Sequence, residues 1–344
     1  MKLAIMKTDK NLTVHDVARV AGVSIKTVSR VLNNDPTVRD KNKEKVLSAV
    51  AVTGYRPDLN ARRLRTKQSY LICLLYMDYA SNSYSARLTS GAIEVCDEAG
   101  YDLLVRPVKD RTSLAEQVKA LAERSNPDGY ILTPPLCDDQ GVLSVIEAEQ
   151  KPAVKILPMS LDANSCVSCD IVAGVKEAVS HLLTLGHRRV AIINFNNVHG
   201  GLLRYQGYEE AHRDFDIPID TSLVFQGPMS SDEEYEKIIR RLLSGDERPT
   251  AFFTFNDYLA TLVYKVASQL KLRIPYDVSV IGFDDDPSSK NLWPPLSTVH
   301  QPVGNLGRAA AGKLIQQLVL HRPYEEKEDL TCKYVQRSSC GPLL

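Results

Sequence analysis

Long apolar runs are missing from this chain of 344 residues, although 44% of its residues are hydrophobic. No run reaches the roughly 18 apolar residues that a membrane-spanning helix needs. The first residues, MKLAIMKTDKN, contain a short apolar patch without a small-residue cleavage site, which does not fit a secretory signal. We therefore expect a soluble, cytoplasmic protein with enough apolar residues for two or three domain cores.

Cysteines are few and scattered. The seven cysteines include one CxxC pair, Cys166 and Cys169, but no second pair lies at the spacing of a structural zinc site. An odd number of cysteines in a chain without a secretory signal indicates reduced thiols. We therefore expect neither a metal nor a cofactor, and we interpret the CxxC pair as two small residues near a buried strand.

Motifs of nucleotide-binding enzymes are also missing. No two glycines stand two positions apart, so the sequence contains no GxGxxG. The stretch from Gly307 to Lys313 spells GxxxxGK, but Leu314 replaces the Ser or Thr of a P-loop. Apolar residues at helical spacing around this stretch favour one amphipathic helix. No Ser/His/Asp or HExxH arrangement stands out, so no catalytic residue is predicted, and an α/β enzyme remains an alternative.

The balanced net charge conceals a strong division along the chain. Residues 1–69 contain 15 Lys+Arg and 6 Asp+Glu, a difference of +9. The rest contains 42 − 15 = 27 basic and 42 − 6 = 36 acidic residues, a difference of −9. A basic head on an acidic body indicates that only the head meets a polyanion.

The head has the pattern of three short helices. Thr13 and Ser24 stand at N-cap positions, Gly22 separates the first two helices, and the third ends at Gly54. The first two helices are predicted to pack through Val17, Ala18, Val23, Val28 and Leu32, and the third through Val46, Leu47, Val50 and Ala51. Residues 56–69 are predicted to be a basic linker with one marginal helical turn at 59–65.

The spacing of residues 13–33 fits a helix-turn-helix, because small residues at the corner allow the second helix to cross the first closely. The N-terminal face of the second helix would then enter the major groove of DNA, with base contacts predicted from Ile25, Lys26 and Arg30. Phosphate contacts are predicted from Thr13, Thr27, Ser29 and Asn33. A plain helical hairpin on a protein surface is the alternative.

From Tyr70 onward, apolar runs alternate with amphipathic segments. This alternation predicts parallel sheets covered by helices on both faces, and its length indicates two similar α/β lobes. Strands are predicted at 71–77, 102–108, 129–134, 153–157, 189–195, 251–256 and 278–283. Helices are predicted near 84–99, 112–124, 141–149, 171–185, 203–214, 232–244, 257–271 and 304–320.

A cleft between two such lobes is the expected ligand site, near the carboxyl ends of the strands. Arg204, Asn256 and Asp284 follow predicted strands and could together hold neighbouring hydroxyl groups of a sugar. A salt bridge or a loop cap is the alternative role for each. Further predicted cleft residues are Thr133, Tyr84 and Trp293, although a single tryptophan is more often part of a core.

The stretch TVHDVARVAGVSIKTVSRVLNN resembles the head of the lac-repressor/galactose-repressor (LacI/GalR) family of bacterial transcription regulators. The resemblance extends along nearly the whole chain, through GYRP at 54–57, ARRL at 61–64, LGHRR at 185–189, RYQGY at 204–208, FND at 255–257, VIGFDD at 280–285 and PPLSTV at 294–299. It implies a homodimer on a pseudo-palindromic DNA operator, with no membrane partner.

The resemblance also implies a fold class: an all-α helix-turn-helix head, a hinge helix, and an α/β body of two parallel-sheet lobes like a periplasmic binding protein. The implied divisions are 1–58 for the DNA-binding domain, 59–69 for the hinge, and 70–344 for the effector-binding and dimerisation domain. Lobe one would take approximately 70–168 plus 301–325, and lobe two 169–300 plus 326–344. In the hinge, Ala61, Arg62 and Leu64 would contact the minor groove.

The function implied is a regulator, in the first place a repressor of carbohydrate-utilisation genes, whose operator affinity is controlled by a sugar or sugar phosphate bound between the lobes. Arg204, Asn256 and Asp284 match the family's effector positions. A transport-type sugar-binding protein is an alternative with the same body fold. The sequence leaves open whether the effector releases or promotes DNA binding.

Overall fold

The computed structural model describes residues 12–32, 35, 37–55, 68–77, 83–109, 113–160, 165–227, 231–319 and 329–343. The chain divides into two compact units, one up to Ser69 and one from Tyr70. Within the described ranges, no helix combines the length and apolarity required to cross a membrane.

The first unit, here called the head, contains three helices: α1 (Val14–Ala21), α2 (Ile25–Leu32) and α3 (Asp40–Thr53). Thr13 and Asp16 form a reciprocal capping box at the start of α1, as their spacing predicts. Gly22 takes a φ of 64° and ends α1, a backbone conformation that favours glycine. The corner between α1 and α2 is therefore as tight as a helix-turn-helix requires.

The small core of the head differs in part from the prediction. Its buried residues are Val17, Ala18, Ala21, Val28, Val31, Val46 and Ala49, with Val23, Leu32 and Val50 partly buried. Leu47 is 49% exposed and Ala51 is exposed, so the prediction that they form the packing face of α3 was wrong. Ala49 takes their place, because the buried face of α3 runs through Val46, Ala49 and Val50 at i, i+3 and i+4.

In the second unit, lobe one is built on a parallel sheet of five strands in the order β2-β1-β3-β4-β5. The strands are β1 (Leu71–Met77), β2 (Asp102–Val108), β3 (Gly129–Leu132), β4 (Ala153–Ile156) and β5 (Cys166–Val167). The helices between them are α4 (Ser83–Ala99), α5 (Leu114–Ser125) and α6 (Gln140–Ala148).

Lobe two repeats this arrangement with four parallel strands in the order β7-β6-β8-β9. The strands are β6 (Val190–Phe195), β7 (Val224–Gly227), β8 (Ala251–Thr254) and β9 (Ser279–Ile281). The helices are α7 (Ile171–Thr184), α8 (His199–Asp214), α9 (Asp232–Ser244) and α10 (Asp257–Gln269). An antiparallel pair, β10 (Thr298–His300) and β11 (Lys333–Val335), packs on α7.

The last helix, α11 (Val303–Val319), returns to lobe one and packs along α4. The two helices approach closely through glycines: a Cβ added to Gly91 would lie 1.9 Å from the carbonyl oxygen of Gly304. A Cβ on Gly307 would lie 2.1 Å from that of Leu88. The GxxxxGK stretch therefore forms part of a packed helix, as its helical spacing predicts, and has no phosphate-binding loop.

All seven predicted strands are present, and the predicted fold class of a helical head followed by a two-lobed parallel α/β body is confirmed. Four strands were missed: β5, β7, β10 and β11. The described part of the chain contains no group of three or more His, Cys, Asp or Glu side chains arranged to hold a metal ion.

Candidate functional site

The N-terminal face of α2 is the surface that the sequence predicts to read DNA. The Oγ of Ser24 accepts a hydrogen bond from the backbone N–H of Thr27 at 3.1 Å and so caps the helix. Beyond this cap, Ile25 is 42% exposed and Lys26 is exposed. The helix therefore presents a methyl-bearing side chain and a cation side by side, the two groups suited to a thymine methyl and a guanine edge.

Arg30 has an internal partner that the sequence reasoning did not anticipate. Its Nε donates to Oδ2 of Asp35 at 2.8 Å, and Nη2 contacts the hydroxyl of Thr37. Asp35 also accepts from the backbone of Thr37, and these hydrogen bonds hold the pKa of Asp35 well below its usual range. Arg30 thus fixes the turn after α2, and a base contact from it requires this pairing to rearrange.

Thr13 and Thr27 lie at the starts of α1 and α2, where backbone N–H groups and hydroxyls suit phosphate contacts. Ser29 lies half-buried on α2. The predicted contacts of Asn33, Ala61, Arg62 and Leu64 fall outside the described residues.

A cavity of about 380 Å³ lies between lobe one and lobe two. In each sheet, the first strand in the sequence lies between the second and the third: β1 between β2 and β3, and β6 between β7 and β8. The strand order therefore reverses at β1 and at β6, which mark the switch points of the two sheets. Residues that follow β1 and β3 line the cavity from lobe one, and residues that follow β6 and β8 line it from lobe two. The carboxyl ends of both sheets therefore meet at one cavity, where α/β folds bind ligands.

Arg204 lies in the wall of this cavity, although only 3% of it is exposed. Its Nε donates to the carbonyl oxygen of Phe255 and its Nη1 to that of Gly200, both at 2.9 Å. The guanidinium also lies between the rings of Phe255 and Phe283, 4.1 Å and 3.6 Å from their centroids. Burial lowers the pKa of Arg204, and Asp284 opposes this effect. The arginine is thus fixed in place, with only Nη2 directed towards a carboxylate.

That carboxylate belongs to Asp284, whose Oδ1 lies 3.6 Å from Nη2 of Arg204. Burial raises the pKa of Asp284 to about 6, while the charges of Arg204 and Arg87 act in the opposite direction. Asp284 has a φ of 105°, a conformation that costs a non-glycine residue about 1–3 kcal/mol. Its backbone N–H donates to Val299 at 2.9 Å, which helps to hold the carboxylate at the cavity.

Asn256, Thr133 and Tyr84 also line the cavity, together with Arg204 and Asp284. The Oδ1 of Asn256 accepts from the N–H of Leu259 at 2.9 Å and caps α10, so a ligand contact would come from its amide nitrogen. The hydroxyl of Thr133 donates to the carbonyl oxygen of Leu75 at 3.2 Å. The structure therefore brings five of the six predicted cleft residues to one place.

Trp293 is the exception, since it is 90% exposed and does not line the cavity. It belongs neither to the cleft nor to the core, so both interpretations offered for it were wrong. It follows the short 3-10 helix Pro287–Asn291 by two residues.

Apart from Tyr84, the aromatic lining of the cavity was missed by sequence reasoning. The residues are Tyr76, Phe195, Tyr235, Phe255 and Tyr258. Phe195 and Phe255 are in contact, with ring centroids 4.2 Å apart. Only Phe255 stood beside a predicted site residue; the others look like ordinary strand or helix residues in the sequence. Asp232 and Gln301 also line the cavity without any sequence signal.

Comparison with known proteins places these features in a family. Residues 13–58 match the model of bacterial regulatory proteins of the lacI family, and residues 179–340 match that of the periplasmic binding protein-like domain. The chain is 33% identical to the HTH-type transcriptional regulator DegA of Bacillus subtilis (strain 168), over 96% of this chain and 98% of DegA. The chain belongs to the lacI family.

A second relative in the lacI family is the HTH-type transcriptional repressor PurR of Haemophilus influenzae (strain PittEE), 31% identical over 96% of this chain and 99% of the repressor. Among solved structures, the lac repressor dimer bound to operator and the anti-inducer ONPF is similar with a TM-score of 0.75, 27% identity and coverage of 96% and 99%. A transcriptional regulator CelR–cellobiose complex is similar with a TM-score of 0.72, 25% identity and coverage of 95% and 99%.

The lacI-family membership confirms the resemblance stated from the sequence. The protein is a DNA-binding transcriptional regulator with a helix-turn-helix head and a ligand-binding α/β body, and its relatives are transcriptional regulators. The roles of individual residues in reading DNA and in binding an effector stay predictions.

Proposed function

We propose that this regulator controls transcription in response to a neutral, hydroxyl-rich ligand of the sugar class, bound in the cavity between its lobes. The observation that carries this proposal is the charge of the cavity wall. Arg204 already pairs with Asp284, and Asp232 adds a second carboxylate, so the charged lining residues that the structure describes sum to −1. A phosphorylated sugar would meet this negative wall without a free cation among the described lining residues, which disfavours the sugar phosphate included in the sequence prediction.

The size and the surfaces of the cavity support the same ligand class. A volume of about 380 Å³ falls at the lower end of the range of small-molecule sites. Aromatic rings offer flat apolar surfaces to the C–H faces of a sugar, while the Asp284 carboxylate and the Asn256 amide can bind hydroxyl groups. The relation to the CelR–cellobiose complex agrees with a sugar ligand.

A purine base is the second candidate, because the same aromatic rings could stack on it. A thermal-shift screen of this protein distinguishes the candidates, since a ligand at 100 times its dissociation constant stabilises the folded state by about 2.7 kcal/mol. We expect a shift with neutral sugars such as cellobiose or ribose. Shifts with sugar phosphates or purines alone would refute the proposal, and Asp284→Asn should abolish a true sugar shift.

For the DNA side, we propose that residues 1–58 form the operator-binding domain, 59–69 the hinge, and 70–344 the effector-binding and dimerisation domain. A homodimer would place two heads on a pseudo-palindromic operator. Ile25, Lys26 and Arg30 would read bases, with Thr13, Thr27, Ser29 and Asn33 on phosphates. Ala61, Arg62 and Leu64 would contact the minor groove at the hinge. Leu64→Ala should therefore weaken operator binding, and unchanged binding would exclude the hinge contact.

The remaining parts of the proposal concern mode of action. We propose that the protein acts as a repressor of carbohydrate-utilisation genes in the cytoplasm and carries no enzyme activity. The ligand would act by changing the arrangement of the lobes, with a coupling of about 1–3 kcal/mol between the ligand and the operator. Operator binding measured with and without the ligand found in the screen tests this, because a ligand without effect on operator affinity would contradict it.

A further inference from the structure

The chain passes between the two lobes three times, through connectors defined here as residues 168–170, 301–302 and 329–332. Cys169 lies in the first connector, Gln301 in the second and Cys332 in the third. The first and third run side by side, because the N–H of Asp170 donates to the carbonyl oxygen of Leu330 at 3.3 Å and Asp170 forms a parallel bridge with Thr331. Two cysteines are thus brought together at the point about which the lobes are joined.

The two cysteines belong to one buried cluster of the core. Nε2 of Gln301 donates to Sγ of Cys169 at 3.4 Å. The pair is buried, with 7% of Cys169 and 3% of Cys332 exposed. Helix α7 packs directly behind it, since a Cβ on Gly174 would lie 2.7 Å from the Cβ of Cys332. The packing therefore confines both cysteine side chains to one buried cluster.

The environment of the pair makes the two sulfurs chemically different. Hydrogen bonds from Cys332 and Gln301 lower the pKa of Cys169 despite its burial, and the charge of Arg204 acts in the same direction. The pKa of Cys332 is raised, because its thiol donates a hydrogen bond to Cys169 and is also buried. By contrast, burial raises the pKa of Cys73 and Cys96 to about 12. Cys169 is thus the nucleophilic member of the pair.

We propose that Cys169 and Cys332 form a redox-active dithiol that a small hydroperoxide oxidises to a disulfide linking the first and third connectors. The Cys169 thiolate attacks one oxygen of hydrogen peroxide, the O–O bond breaks, and the leaving hydroxide takes a proton to become water. Cys332 then attacks the sulfenic sulfur of Cys169, and its proton leaves with the hydroxyl group as a second water. Two thiols thus lose two electrons to one peroxide, giving one disulfide and two waters.

The cavity gives a small oxidant its approach to the pair. Gln301 lines the cavity and also contacts Cys169, so one side chain separates the sulfur from the cavity. A disulfide has an S–S bond of about 2.05 Å, shorter than any hydrogen-bonded contact between thiols. Its formation draws the two connectors together and fixes them, and every change in lobe arrangement must move these connectors. Oxidation is therefore expected to restrict the lobes.

The test uses the full-length protein treated with hydrogen peroxide, followed by alkylation of free thiols and mass spectrometry of the peptides. We expect a Cys169–Cys332 linkage that dithiothreitol reverses, and a shift of the melting midpoint in the oxidised protein only. Peroxide that oxidises the more exposed Cys340, or produces disulfides between chains, while Cys169 and Cys332 remain free, would overturn the proposal.

Matched variants separate the chemistry from a packing role. Cys169→Ser should remove both the linkage and the peroxide-dependent shift of the midpoint, whereas Cys96→Ser, at another buried thiol, should keep both. In the wild-type protein, Cys169 should react with iodoacetamide at a lower pH than Cys96, a measurement that does not depend on whether a variant folds. If both thiols react with the same pH profile, the proposed nucleophile is wrong.

Discussion

Nη1 of Arg87 donates a hydrogen bond of 2.9 Å to the backbone carbonyl oxygen of Asp284, and this contact joins α4 of lobe one to the loop of lobe two that lines the cavity. Nε and Nη2 of Arg87 are buried and have no hydrogen-bond partner among the described residues. Sequence reasoning missed Arg87, because the segment around it looks like an ordinary helix start. The contact places a residue of lobe one directly behind the carboxylate predicted to bind the ligand.

Arg87→Ala is expected to lower the melting midpoint of the body, because a hydrogen bond to a charged group contributes about 1.5–3 kcal/mol. Arg273→Ala is the control, because it removes an exposed ion pair with Asp277 that contributes little to stability. Differential scanning calorimetry of both variants measures the difference. Equal midpoints for the two variants would show that the contact between the lobes contributes nothing to stability.

Ligand binding should depend on the ionisation of Asp284, whose pKa is raised to about 6. A sugar hydroxyl donates to the carboxylate and therefore binds the ionised form. Affinity should be constant above pH 7 and fall below pH 6, approaching tenfold for each further pH unit. Isothermal titration calorimetry from pH 5 to pH 8 measures this dependence. Asp257→Asn changes the neighbouring buried carboxyl and should leave the decrease in affinity near pH 6 in place. If this decrease disappeared in Asp257→Asn, the titrating group would be Asp257.

Arg30 and Asp35 can be separated by a pair of variants. If Arg30 only fixes the turn, Arg30→Ala and Asp35→Asn should weaken operator binding equally, since each breaks the same ion pair. If Arg30 also reads a base, Arg30→Ala should lose about 1–3 kcal/mol of discrimination between operator and mismatched DNA, and Asp35→Asn should not. Fluorescence anisotropy with both DNAs at one salt concentration measures this. We expect the second result; identical discrimination would remove Arg30 from the base contacts.

His187 should make the stability of the body depend on pH. Its Nδ1 contacts Oγ1 of Thr250 at 2.9 Å and its Nε2 contacts the carbonyl oxygen of Gly341 at 3.1 Å. Burial lowers the pKa of His187 below 6.5, so the unfolded state binds the proton more readily and stability is lost as pH falls through that value. His187→Gln should reduce the decrease of the melting midpoint between pH 7 and pH 5. If the melting midpoint of His187→Gln decreased with falling pH as much as that of the wild type, the pH dependence would belong to His181 and His212.

Trp293, the single tryptophan, should not report ligand binding by direct contact, because it is 90% exposed and lies outside the cavity. Its fluorescence should be strongly quenched by iodide, and saturating ligand should leave the quenching constant unchanged. If the ligand protected Trp293 from iodide, Trp293 would belong to the binding site.

Phe255→Leu should weaken binding of the same ligand, because it removes an aromatic ring from the wall of the cavity.

The core of the fold could be predicted because buried parallel strands are continuous apolar runs, as in LICLLYM for β1 and VAIINF for β6. The missed strands lack this signal. β5 has only two residues, while β7 and β11 are partly exposed along their lengths and so mix polar with apolar residues. Their pairing is determined by neighbours distant in sequence, which a local pattern does not contain.

The candidate site likewise contains some residues that the sequence could indicate and others that it could not. Asn256 and Asp284 could be found because each combines a strongly polar group with a position shortly after a strand. Arg204 lies on α8 and could be found because it begins the RYQGY stretch that resembles the family. Tyr235 and Arg87 also lie on helices, but no motif marks them, and only tertiary packing brings each to the cavity or its loop. The exposure of Trp293 was equally inaccessible, since the path of an irregular loop is not encoded in a periodic pattern.

Residues 337–341 complete the sheet of lobe two from a distance in sequence. The N–H of Val280 donates to the carbonyl oxygen of Ser339 at 2.9 Å, and the Ser339 hydroxyl donates to that of Val280 at 2.6 Å. Because β9 is the edge strand of its sheet, this edge stays unpaired until residues 337–341 have been synthesised. Ribosome stalling or truncation before residue 337 would release a chain that keeps the head and most of both lobes, yet exposes an open sheet edge prone to aggregation.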